Sequence, residues 1–297
     1  MDLETLRSMR KKSFSKISEE MDNIANNNKS YEDDRVWQVQ PDKAGNGSAI
    51  IRFLPGLDPN ALPWVKMYTY GFQGPTGKWY IENSLTTLGE DDPATDYNTK
   101  LWTSGIEANK EIARKQARQL KYISNILVIS DPKNPENEGQ VRLFKYGSKI
   151  FDKLKDVAKP VFEDDIPVDV FDPDKGANFK FRMRREKGYA NFDQSVFLEP
   201  SPIADTDEEI LEILNRQYDL SELVSRKHFK SYEELSKKLN AVLSPAGGPS
   251  KTAESDDSQD GDNDAPARKI VPQITITYDD DEDEDAMEFF KKIALEE

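Results

Sequence analysis

The stretch from 109 to 153 constrains the fold most, because it sets out two strands between two helices. Val141-Arg142-Leu143-Phe144-Lys145-Tyr146 alternates with period two, which puts Arg142, Phe144 and Tyr146 on one face of a strand. The apolar run Ile126-Leu127-Val128-Ile129 precedes it across a turn rich in Pro, Asn and Gly. Upstream, Asn109 to Tyr122 reads as a helix with Lys110, Arg114, Arg118 and Lys121 on one face and Ala113, Ala117 and Leu120 on another. Downstream, Ser148 to Lys159 reads as a helix whose Ile150, Phe151, Leu154, Val157 and Ala158 form a core-facing stripe. A cation beside two rings suits single-stranded nucleic acid, since positive charge tracks phosphates and an aromatic face accepts any base at about 1–3 kcal/mol per stack. Alternation does not say which face is buried, so Phe144 and Tyr146 also read as core, with Leu143 facing solvent. The cation stripe also reads as a solvated helix face, until the neighbouring aromatic-basic strand tips it toward DNA.

The formal charge of −15 argues against such a partner until it is located. Residues 254–297 hold sixteen acids and four bases, a net of −12, which leaves −3 for residues 1–253. Within that remainder, residues 110–121 carry five cations against Glu111, and residues 7–16 carry five with no acid. The basic signal is local. A hydrophobic content of 36% supplies one core but is low for 297 residues, so part of the chain is expected to be disordered. Without cysteine there is no disulfide framework and no thiolate metal site, which fits a reducing compartment. No apolar run reaches the length of a membrane span, and the N-terminus lacks the apolar stretch of a secretory signal. A soluble intracellular protein is the expectation.

Three regions follow. Residues 1–34 form a polar, basic arm, with weakly amphipathic helix potential at Leu3, Leu6, Met9, Ile17, Met21 and Ile24. Residues 35–243 form the core. Strands are expected at Val36–Val39, Ser48–Leu54, Trp64–Phe72, Lys78–Glu82, Val168–Phe171 and Asn178–Arg185, the last with Phe179, Phe181 and Met183 inward and Lys180, Arg182 and Arg184 outward. Residues 83–108 read as an irregular loop subdomain. Thr206 with Glu209, and Ser231 with Glu234, have capping-box spacing and open helices at about 207–218 and 231–243. Residues 244–297 are a Ser/Asp/Gly-rich disordered linker and an acidic tail, which ends in an amphipathic helix candidate after the run Asp279–Asp285. The class is mainly β with helical insertions (α+β), expected as a small, partly open barrel of the oligonucleotide-binding kind.

Several stretches, in order, resemble the single-stranded DNA-binding (helix-destabilising) protein of T-even-type phages. They are Ala44-Gly45-Asn46-Gly47 with Ile51-Arg52-Phe53-Leu54-Pro55, Gly77-Lys78-Trp79-Tyr80-Ile81-Glu82, Ser124-Asn125-Ile126-Leu127-Val128 and Asp131-Pro132 with Pro135-Glu136-Asn137-Glu138-Gly139. Lys149-Ile150 with Asp152-Lys153, Pro167-Val168-Asp169-Val170 and Gly176-Ala177-Asn178-Phe179 continue the series. The resemblance implies an oligonucleotide-binding barrel with a zinc-bearing subdomain and a DNA cleft lined by aromatics and cations, Tyr122, Phe144, Tyr189 and Phe192 falling at or beside the aromatic positions. It also implies that Arg10, Lys11, Lys12 and Ser13 serve cooperative binding. The family's zinc ligands are one histidine and three cysteines, and the corresponding positions here read approximately Tyr70, Asn83, Asp92 and Thr95. Asn and Thr are not credible zinc ligands, so the subdomain is expected to hold by packing of groups such as Tyr70, Trp79, Leu88 and Trp102, with no metal and no cofactor.

Residues and resemblance together place Lys110, Arg114, Lys115, Arg118, Lys121, Tyr122, Arg142, Phe144, Tyr146, Lys149, Arg182, Arg184, Tyr189 and Phe192 at DNA. Tyr189 and Phe192 also read as filling a barrel end. The implied partners are single-stranded DNA, neighbouring protomers on it, and phage replication and recombination proteins through the acidic tail, in the cytoplasm of an infected bacterial host and not at a membrane. For enzymatic work there is no phosphate-cradling glycine loop, no nucleophile elbow and no cysteine, and His228 reads as a surface residue. The acidic run lacks the glycine and spacing of a calcium loop. The rival readings are a metal-dependent nuclease on a similar barrel and an acidic recruitment adaptor.

Overall fold

The computed structural model describes residues 33–244 apart from 59, 163, 187 and 188. Most of the arm, including Arg10, Lys11, Lys12 and Ser13, and the linker and tail lie outside the described residues. The chain divides into two compact units after Trp37. In the first, the described residues form a turn in which the Arg35 guanidinium reaches the Asp33 carboxylate at 2.7 Å, and a short strand β1 (Val36–Trp37).

The second unit is sheet-dominated α+β. Its strands are β2 (Gly47–Phe53), β3 (Val65–Gln73), β4 (Trp79–Asn83), β5 (Gln119–Ser130), β6 (Val141–Tyr146), β7 (Ala177–Glu186), β8 (Tyr189–Asn191) and β9 (Val196–Pro200). Its helices are α1 (Pro93–Thr103), α2 (Glu107–Lys115), α3 (Ser148–Ala158), α4 (Asp207–Leu214), α5 (Leu220–Leu223) and α6 (Tyr232–Leu243). Both capping boxes form, Thr206 opening α4 and Ser231 opening α6. The long strand β5 organises the sheet. Its C-terminal half pairs with β2 (Phe53 opposite Ile126), its N-terminal half pairs with β3 (Lys66 opposite Tyr122), and β6 takes its other edge. β2 continues to β7, which pairs with β8 and β9, while β4 pairs only with β3. Because β2 and β3 share one edge of β5, the β3–β4 hairpin branches off. The described pairings do not close into a barrel.

The paired registers put Phe53, Phe144, Tyr146, Phe179 and Phe181 on one face of the sheet. Phe53 is fully enclosed there, its ring centroid 5.6 Å from Tyr146, 5.9 Å from Phe179 and 6.0 Å from Phe171. On the opposite face Leu127 and Val141 join Leu54 and Ile213 of α4 in a second cluster. Leu143 is therefore buried as well, and the strand expected to have a wet face has none at its centre.

Three local expectations are corrected. Residues 119–122 are strand, because pairing with β3 and β6 outweighs the helical charge pattern, and the helix stops at Lys115. Val168–Phe171 is no strand: Asp169 and Asp172 turn their side chains onto the amides of Phe171, Asp174 and Lys175 and fold the backbone into successive turns. Residues 83–108 are mostly helical, since Asp92 followed by Pro93 at the first helical position starts α1. The core around that helix holds Tyr70, Phe72, Tyr80, Leu85 and Ala94 under Leu235, Leu239 and Val242 of α6, with Leu88 packed against them. Trp79 is 53% exposed because alternation sends Tyr80 inward instead, and Trp102 packs on Ala113. The β3–β4 turn meets α6 so closely that a Cβ on Gly74 would lie 2.3 Å from the Val242 carbonyl oxygen.

Candidate nucleic-acid interface

Strand β3 presents Lys66 and Tyr68 on the side of the sheet where Tyr122 stands on β5. The Lys66 ammonium lies 6.0 Å from the centre of the Tyr122 ring, and the Arg118 guanidinium lies 4.1 Å over Tyr68. On the helices, Lys110 and Arg114 approach the Trp102 ring to 5.8 and 5.3 Å. Four cation-and-ring pairs on three rings thus stand at β3, the start of β5 and the α1–α2 pair. The rings fix cation positions by cation–π attraction worth about 0.5–1 kcal/mol at exposed sites. Glu107 and Glu111 also contact Arg114, and Glu107 stands 4.0 Å from Lys110. Such exposed pairs are weak enough for phosphates to compete with them.

The remaining expected residues divide by burial. Lys115 is exposed on α2 beside Trp79, Tyr97 and Ile112. Arg182 and Arg184 are exposed on β7, opposite Phe179, Phe181 and Met183 as the alternation requires, Arg184 pairing with Glu186. Tyr189, on the β8 strand that folds back along Arg184–Glu186, is 43% exposed. Arg142 and Lys149 are half-buried. Tyr122, Phe144, Tyr146, Phe192 and Lys121 are buried. Tyr122 stacks on Phe151 of α3 at 3.9 Å with the rings almost parallel. Phe144 stacks on Tyr146, whose hydroxyl meets Ser124 Oγ at 2.9 Å. Phe192 packs against Phe181 at 5.3 Å.

The core alternative therefore describes Phe144, Tyr146 and Phe192, and of the expected rings Tyr189 alone is exposed. Lys66, Tyr68 and Trp102 were not among the residues expected at DNA. The signal for Lys66 and Tyr68 was the alternation Trp64, Lys66, Tyr68, Tyr70, which has the same cation-among-rings form as Val141–Tyr146, whereas Trp102 lies outside it. Lys145, also unforeseen, stands on β6 opposite Ile123, on the same face as Lys121. Burial, with the Lys121 charge nearby, pushes its ammonium down to about 8.

Of the positions that resemblance gives to zinc, Tyr70, Asp92 and Thr95 come together, while Asn83 turns its amide to the His228 carbonyl. Among the described residues no group of three His, Asp or Glu side chains is arranged to hold a metal ion. No helix among them is long and apolar enough to cross a membrane.

The sequence profile described as gp32 DNA binding protein like matches residues 45–243. The single-stranded DNA-binding protein of Enterobacteria phage T2 is 39% identical over 253 residues, 82% of this chain and 83% of its own length. That of Enterobacteria phage T4 is 38% identical over the same shares. A shorter match, 37% identical over 95 residues, falls on the single-stranded DNA-binding protein of Escherichia phage SV14 and covers 31% of this chain.

Proposed function

The chain belongs to the gp32-like DNA-binding family, and on that premise we propose that it coats single-stranded DNA during phage replication inside the infected host, without sequence preference and without catalysis. The observation that carries the reading is the set of cation-and-ring pairs at Lys66, Tyr68, Trp102, Lys110, Arg114, Arg118 and Tyr122. Phosphates neutralised by these cations release counterions, and the half-buried rings of Tyr68 and Trp102 beside them offer stacking faces to any base, while the buried Tyr122 ring positions Lys66. The exposed Arg182, Arg184 and Tyr189 form a second basic and aromatic surface on the β7–β8 hairpin. We read the open sheet as a partly open relative of the oligonucleotide-binding barrel, with Phe144, Tyr146 and Phe192 as the packing beneath the DNA-facing groups.

Recombination and repair extend the same reading, because any process that exposes single strands offers this protein its ligand. Arg10, Lys11, Lys12 and Ser13 act between neighbouring protomers on DNA, and the acidic tail recruits replication and recombination proteins. Deleting residues 1–20 is then expected to abolish cooperative binding to a polymer while leaving affinity for a one-protomer oligonucleotide nearly intact. An equal loss on both would make the arm an ordinary DNA-binding segment.

The test of the main reading is a salt titration of oligo-dT binding, followed by quenching of intrinsic fluorescence. Affinity falls with a log–log slope of about −0.7 for each phosphate neutralised. A flat response overturns the proposal. Magnesium-dependent cleavage of the same oligonucleotide would replace it with the nuclease.

A further inference from the structure

Asp92 is 1% exposed, and both of its oxygens are saturated. Oδ1 accepts from the amides of Ala94 and Thr95 at 3.0 and 3.1 Å, and Oδ2 accepts from Ser84 Oγ at 3.1 Å and the Leu85 amide at 3.0 Å. Tyr70 and Thr95 share a hydrogen bond of 2.6 Å between their hydroxyls. These interactions join β3, the turn that follows β4, and the first turn of α1. Ser84, fully buried, completes the group that sequence comparison alone assigned to its neighbour Asn83.

We propose that Tyr70, Ser84, Asp92 and Thr95 form a metal-free latch standing where the resemblance implies a structural zinc centre, so that hydrogen bonds added to the apolar core, and no metal, clamp the β3–β4 hairpin to α1. The donor chemistry does not fit zinc. Structural zinc needs several thiolate, imidazole or carboxylate ligands, whereas this cluster has one carboxylate and three neutral hydroxyls. The carboxylate has four donors directed at it, which leaves its lone pairs committed. The phenol of Tyr70 stays protonated, since burial and the nearby Asp92 charge raise its pKa well above the ordinary value. A carboxylate that accepts only from neutral donors supplies charge-assisted bonds without a second ion, and burial shields those bonds from water. The latch therefore depends neither on zinc supply nor on thiol oxidation. It does not depend on what the protein binds, although β3 also carries Lys66 and Tyr68, and α1 carries Trp102.

The full-length chain is to be assayed for zinc and melted with and without EDTA. The expected result is no stoichiometric zinc and an unchanged melting temperature, with Ser84→Ala and Asp92→Ala each lowering it by at least about 2–4 °C. Stoichiometric zinc whose removal lowers the melting temperature overturns the proposal, as do single variants that melt like the parent. A combined Tyr70→His, Ser84→Cys, Asp92→Cys, Thr95→Cys variant tests the convergence of the four positions with cobalt(II) as probe. Thiolate absorption bands of a tetrahedral site are expected. A variant that folds, by circular dichroism, and takes up no cobalt shows that the four side chains do not converge, which also overturns it.

Discussion

A lysine whose ammonium is costly in the folded chain leaves a signature in stability against pH. Lys145 is held down to about 8 by burial and by Lys121, against an ordinary value near 10.4 in the unfolded chain. Below pH 8 both states carry the proton and the folded state bears the whole penalty. Between about 8 and 10.4 the unfolded chain binds more protons than the folded one, so stability rises with pH across that window. Lys145→Met is expected to stabilise the protein at pH 7 by on the order of 1–3 kcal/mol and to remove that rise, which urea melts of parent and variant at pH 7 and pH 10 will check. Aromatic residues divide by the same logic of burial. Phe144→Ala empties part of a packed core and is expected to cost about 3–5 kcal/mol of stability. Tyr189→Ala, at an exposed ring, is expected to leave melting unchanged and cost about 1–3 kcal/mol of binding. Circular dichroism beside an oligonucleotide titration separates the two, and reversed outcomes would exchange their assignments. The sequence showed that Phe144 and Tyr146 share a face. It did not show that Ile213 of α4 and the Phe53 cluster cover the two faces of β6, because that covering comes from residues distant in the chain.

Elements governed by local chemistry were legible. The capping boxes at Thr206 and Ser231, the alternation along β7 and the stripe of α3 at Ile150 and Leu154 all stand as the residues dictate. Elements governed by partners were not. The charge spacing that continues a helix through Arg118 and Lys121 is overridden by the ladder of Lys121 and Tyr122 with Met67 and Lys66, so the cation stripe is split among α2, a connector and β5. The split does not scatter its chemistry, because Trp102 and Tyr68 gather Lys110, Arg114 and Arg118 again. Reversing Lys110 and Arg118 to glutamate is expected to make the log–log salt slope of oligo-dT binding shallower by about 0.7 for each phosphate no longer neutralised. The melting temperature is expected to change little, since the Lys110–Glu107 ion pair is worth about 0–1 kcal/mol and the Arg118–Tyr68 cation–π contact about 0.5–1 kcal/mol. An unchanged slope in a folded variant would move the DNA path away from α2 and toward the β7–β8 hairpin.

At the scale of the whole molecule, the open sheet was beyond sequence reading because β2 and β3 share one edge of β5 through pairings between residues far apart in the chain. Charge, in contrast, is additive along the chain and legible at once. Residues 254–297 carry a net charge of −12, while the cations proposed to meet phosphate are on the core, and the two are covalently joined. A tethered polyanion is present at an effective concentration that its linker sets, so it is expected to compete with DNA for the same cations without needing any specific docking site. The competition is electrostatic and must fade within the screening length, about 8 Å at physiological ionic strength. On the proposed recruitment role, Met287, Phe289, Phe290 and Ile293 are expected to become available to partner proteins once DNA displaces the tail. Truncation at about residue 250 is therefore expected to tighten oligo-dT binding at low salt and to raise duplex-melting activity, with both gains shrinking as salt rises. Titrations of full-length and truncated protein across a salt series measure both. If the truncated protein binds no tighter at low salt, the tail does not compete for the DNA cations, and recruitment is its remaining role.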